Sequence, residues 1–119
     1  MGRVIPLLAA IALAAPPKAT LDTGTARVPL AISSWCWGTR CGAPIARSTK
    51  IAAVAPGATV TVELRFAPAR VHLAVGGKRL TAARRGREVS WVVRRGGGVT
   101  LTATGGRGWV TYVGRIRLR

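Results

Sequence analysis

From residue 26 to residue 119, apolar side chains recur at every second position, in short runs broken by Gly and Pro. A period of two places alternate side chains on opposite faces of an extended chain, so these runs are strands and not amphipathic helices. Residues 58–66 show it most clearly: Val60, Val62, Leu64 and Phe66 share one face, and Thr59, Thr61, Glu63 and Arg65 share the other. Val71, Leu73 and Val75 repeat the pattern, and Gly76-Gly77-Lys78 reads as a hairpin turn into residues 79–82. Val89, Trp91 and Val93 form a further face, followed by Gly96-Gly97-Gly98, read as a turn, and an alternating run over 99–104. Gly105-Gly106-Arg107-Gly108 turns the chain into residues 109–119, with Val110, Tyr112, Ile116 and Leu118 inward and Arg115, Arg117 and Arg119 outward. Residues 26–32 and 50–54 supply two more strands, 33–46 reads as a loop, and 82–87 has room for one helical turn. About seven short strands at hairpin spacing, in a single domain over 26–119, predict an all-β, antiparallel sandwich or small barrel.

The N-terminal residues have a different grammar. Arg3 precedes a 12-residue apolar run, Val4 to Ala15, and Ala12-Leu13-Ala14 satisfies the small-x-small rule for signal-peptidase cleavage. Residues 1–14 are therefore expected to be a signal peptide, and the protein to be secreted, periplasmic or held at the cell envelope. An uncleaved membrane anchor is the alternative, although a spanning helix needs about 20 apolar residues. Residues 15–25, rich in Pro, Thr, Ala and Gly, read as a linker.

The two cysteines fit export. Cys36 and Cys41 are close enough for a local disulfide in an oxidising compartment. Free thiols and metal ligation are the alternatives. Zinc would require two more ligands where only His72 is on offer.

Ser34-Trp35-Cys36-Trp37 with Cys41, the strand opening Val54-Ala55-Pro56-Gly57, the run Val60 to Phe66, Pro68, Val71-His72-Leu73 and the late Tyr112 stand in a telling order. That order resembles a group of small exported bacterial proteins with an immunoglobulin-like β-sandwich. Many of those are lipoproteins or membrane-tethered, and they have no established activity. The resemblance implies an immunoglobulin-like sandwich. The chain departs from the pattern in its shorter inter-cysteine loop, the lack of a lipid-attachment cysteine and its basic balance. Cysteines five residues apart cannot make the inter-sheet bridge of antibody domains.

Catalysis finds few candidates. There is one His, His72, one Asp, Asp22, and two Glu, Glu63 and Glu88, with no Asn or Gln. Ser33, Ser34, Ser48 and Ser90 lack a G-x-S-x-G elbow. Glu63 and Glu88 would form a carboxylate pair if their strands met, with salt bridges to Arg65 or Arg87 as the alternative. The reading is no catalytic residue, no metal and no cofactor.

Charge is the stronger signal. Lys+Arg is 19 against 3 Asp+Glu, a net charge of +16, and Arg outnumbers Lys 16 to 3. Arg, Ala, Gly and Val all have GC-rich codons, so part of the basicity reflects composition. Arg115 and Arg117 alternate outward on the last strand, and Arg94 and Arg95 end a neighbouring one. Together they are the candidate anion-binding stripe. The expected partners are an anionic polymer, a lipid headgroup or an acidic protein at the envelope. Location and the lack of an RNA-binding aromatic signature argue against nucleic acid. Trp35, Trp37 and Trp109 are candidates for an aromatic surface, with core packing as the other reading. The expectation is thus a secreted, non-enzymatic binding domain. A structural or accessory domain without a ligand stands second, and an enzyme third.

Overall fold

The computed structural model describes residues 15–42 and 50–119. The expected signal peptide and Ser48 lie outside the described residues. Over the described residues the fold is all-β, with twelve strands in two sheets. β1 (Ala19–Asp22), β2 (Arg27–Pro29), β6 (Thr59–Leu64), β9 (Ala83–Arg85) and β10 (Glu88–Val92) form a five-stranded sheet in the order β2-β1-β6-β10-β9. β3 (Ala31–Trp37), β4 (Arg40–Gly42), β7 (Arg70–Val75), β8 (Lys78–Leu80), β11 (Gly97–Gly105) and β12 (Gly108–Leu118) run β4-β3-β12-β11-β7-β8 in the other. β5 (Ala52–Val54) lies beside the last residues of β12. All ladders are antiparallel except β5–β12, which is parallel.

Alternation turns one face of each sheet into a single apolar core. Leu21, Val60, Val62, Val89 and Trp91 from one sheet cluster with Leu73, Leu101, Val110, Tyr112 and Ile116 from the other. Fully burying each such side chain contributes about 1.5–3 kcal/mol. No polar or charged residue is buried among the described residues.

Several expectations are corrected. The segment read as a linker carries β1, which pairs with both β2 and β6 and buries Ala19 and Leu21. Two apolar residues are too few to register as a period, yet they fill the core opposite Val62 and Leu64. The strand expected over 26–32 is two strands in different sheets. Leu30, Ala31 and Ile32 are buried in succession where the chain crosses, and a bulge at Ser33 lets Tyr112 meet Ile32. The loop expected over 33–46 begins with the β3–β4 hairpin. The helical turn expected within 82–87 is β9, because its residues complete the edge beside β10. Gly96-Gly97-Gly98 is no hairpin turn, since β10 and β11 belong to different sheets.

The hairpin sets Cys36 directly opposite Cys41, and a disulfide joins them with Cα atoms 4.0 Å apart. Replacing both by Ser is expected to lower stability by about 2 kcal/mol, the value for so short a ring. Denaturant unfolding with and without reductant measures the loss. A variant as stable as the parent would remove the bond from the fold's energetics.

Tyr112 is fully buried and its hydroxyl donates to the Pro17 carbonyl at 2.6 Å, fastening Pro17, just ahead of β1, across the core. Burial pushes the phenol well above its ordinary value of 10.0. The unfolded chain therefore ionises first. Stability attributable to this group is complete below pH 10 and falls as pH rises beyond it, by about 1.4 kcal/mol per unit. Tyr112→Phe is expected to cost about 1–2 kcal/mol at neutral pH and to lack this alkaline decline. Unfolding titrations of the two proteins between pH 8 and 11 test both statements.

A candidate anion-binding edge

The three acids lie on one side of the molecule. Asp22, Glu63 and Glu88 all belong to the five-stranded sheet, and the seven-stranded sheet contains none. Glu63 and Glu88 do meet, directly opposite each other on β6 and β10. Glu63 is held by Arg27, which also reaches Asp22 at 3.3 Å. Its partner is thus neither Arg65 nor Arg87, because β1 and β2 bring Arg27 alongside. Glu88 faces Arg85 across the next ladder. The Arg27 pair offsets the like-charge contact of Glu63 with Glu88, and neither carboxylate lines any hollow described below.

The cations gather where the sheets' other edges come together. β8 is the edge of one sheet, β9 the edge of the other, and Thr81 and Ala82 carry the chain between them. On one side of Leu80 and Thr81 lies a hollow of about 580 Å³ lined by Arg70, His72, Arg79 and Arg84 over Leu73 and Ala82. Arg84 is fixed there by a 3.1 Å bond from its guanidinium to the Pro68 carbonyl. On the other side a hollow of about 470 Å³ is lined by Lys78, Arg94 and Arg95 over Val75, Leu80 and Trp91. A third, of about 390 Å³, has Arg115 and Arg117 above Gly96, Gly97 and Ile51.

A close glycine contact separates the last two. A Cβ on Gly76 would sit 2.8 Å from the Gly96 carbonyl oxygen and 3.3 Å from Arg95 Cδ, so only glycine lets the β7–β8 turn approach this crossover. Gly96 in turn lies against the main chain of Ile116 and Arg117. The expected set Arg94, Arg95, Arg115 and Arg117 is thereby exposed at one end of the molecule, divided between two hollows. Sequence reading left Arg70, Arg79 and Arg84 out of the candidate stripe. Their alternation marks them as exposed but does not say that three strands carry them to one hollow.

The aromatic candidates divide. Trp37 is 7% exposed and packs at a tilt against Phe66 with ring centroids 4.9 Å apart, so it is core. Trp35 points the same way, half-buried against the core and across Gly42, where a Cβ would come within 2.5 Å of its ring. Both face inward because Trp35 pairs with the buried Val110. Trp109 lies on the outer face opposite Cys36 and Thr104, half-buried. It is six residues from Arg115, about 20 Å along the strand, so the three tryptophans form no shared surface.

His72 is exposed, and Ser34 lies three strand spacings away across Thr102 and Thr111, about 14 Å. No serine hydroxyl bonds to it among the described residues. No group of three His, Cys, Asp or Glu residues could hold a metal ion among the described residues. What this edge can do chemically is hold negative charge. No protein-family model, no curated protein and no solved structure matches the chain.

Proposed function

We propose that this chain is an exported, non-enzymatic immunoglobulin-like β-sandwich that binds an anionic partner at the cell envelope through the basic edge. The observation that carries the reading is the run of three adjoining hollows. Eight Lys and Arg side chains line them and none of the three acids does. Charge of one sign lining concave surface concentrates its field and draws counter-charged partners. The disulfide supports export, since such bonds persist in oxidising compartments. Two sheets sharing one core support the sandwich.

Inorganic polyphosphate is a suitable probe. Two variants with equal charge loss separate a site from net charge: Arg94→Ser with Arg117→Ser at the edge, and Arg40→Ser with Arg107→Ser by the β3–β4 turn. All four residues are exposed, so each change should leave stability within about 0.5 kcal/mol per site. The edge variant is expected to weaken binding severalfold more and to flatten its salt dependence, because fewer counterions are displaced. Equal losses in the two variants would reduce the edge to net charge.

A further inference from the structure

Among the described residues, half of β7 has no strand beside it on one side. β11 pairs with it throughout Arg70–Val75, whereas β8 covers only Leu73–Val75. The phase of its hydrogen bonding is set at the turn. The Gly76 N–H donates to the Gly98 carbonyl at 2.9 Å. Ala74, His72 and Arg70 therefore direct their main-chain groups to β11, and Val75, Leu73 and Val71 direct theirs the other way. On that side Lys78 answers Val75 and Leu80 answers Leu73. The chain then leaves for β9, and among the described residues no strand answers Val71. The N–H and C=O of Val71 face the hollow of about 580 Å³.

An open strand edge beside empty space is a template for another extended chain. The side chains decide which chain. Arg70 and His72 flank Val71 on the outer face, Arg79 lies on that face opposite Ala74, and Arg84 closes the hollow. A second copy of a chain carrying +16 is repelled from such an edge. An acidic chain gains opposite-charge pairs directly across the ladder.

We propose that the edge at residues 70–72 takes an acidic polypeptide segment as an added strand. Its main chain pairs with Val71, and alternate Asp or Glu side chains lie beside Arg70, His72 and Arg79. The residue opposite Val71 points inward over Leu80 and Ala82, which calls for a small or apolar side chain there. The recognised pattern is acid–apolar–acid. This assignment rests on the basic edge being a binding surface and names what one part of it binds.

The test uses a fluorescent (Glu-Val)4 peptide and two N-methylated forms of it, with inorganic polyphosphate as the charge-only probe. Valine opposite Val71 exchanges two main-chain bonds with it, while the glutamates turn their N–H groups away. N-methylvaline is expected to weaken binding about tenfold and N-methylglutamate less than about twofold. Arg70→Ala with Arg79→Ala should weaken the parent peptide about tenfold. Peptide binding should also slow exchange of the Val71 amide. No binding of the parent peptide, equal effects of the two methylations, or an unprotected Val71 amide would each overturn the added strand. If polyphosphate still binds through Arg94 and Arg117 in that event, the basic edge survives without it. Equal polyphosphate losses in the charge-matched variants would instead remove the basic edge itself.

Discussion

Gly108→Ala is expected to destabilise the fold by more than about 4 kcal/mol, an exceptional loss for one methyl group. Two costs coincide there. Gly108 opens β12 with φ +145, a conformation that L side chains rarely adopt and that costs about 1–3 kcal/mol. Its new Cβ would also lie 1.9 Å from the Cys36 carbonyl oxygen and 2.9 Å from that residue's carbonyl carbon. Those are main-chain atoms of a strand fixed by the Cys36–Cys41 bond and by pairing with both β4 and β12, so no side-chain rotation relieves the overlap. Gly106→Ala is the matched control. Nothing lies within 4 Å of its added Cβ, and the change should be neutral or stabilising by up to about 1 kcal/mol. Urea unfolding of both variants decides the matter. A stable Gly108→Ala protein would mean that β12 meets β3 in another register.

Trp37→Ala is expected to cost about 3–5 kcal/mol, the range for removing a large aromatic from a core. Trp37 ends β3, and its ring packs against Phe66, which follows β6. Truncation leaves a cavity bordered by main chain on the Gly108 side, where collapse is restricted. Trp109→Ala removes a ring of equal size from the outer face, where it is only partly buried, and should cost less. Thermal unfolding of the pair measures the difference. Equal losses would contradict the inward placement of Trp37.

Face and exposure were legible in the chain wherever a run was long enough to show its period. Val60, Val62, Leu73, Val75, Val89, Trp91, Tyr112 and Ile116 are all buried, and Arg94, Arg95, Arg115 and Arg117 are all exposed, as alternation requires. The Cys36–Cys41 bond was legible for the same local reason, since five residues can close only a small ring. Neighbours were not legible. Alternation states which way a side chain points but not which strand lies beside it. Pairings such as Ala19 with Leu64, or Trp37 with Gly108, join residues far apart in sequence. Ala19 and Leu21 therefore passed for linker, Trp35 and Trp37 stayed open between surface and core, and Arg70, Arg79 and Arg84 stayed outside the anion-binding set. The basic hollow exists only because β8 stops at Leu80 and the chain crosses to the other sheet. Where a strand stops is settled by the competition of two sheets for the same residues, an energy that no local stretch of sequence contains.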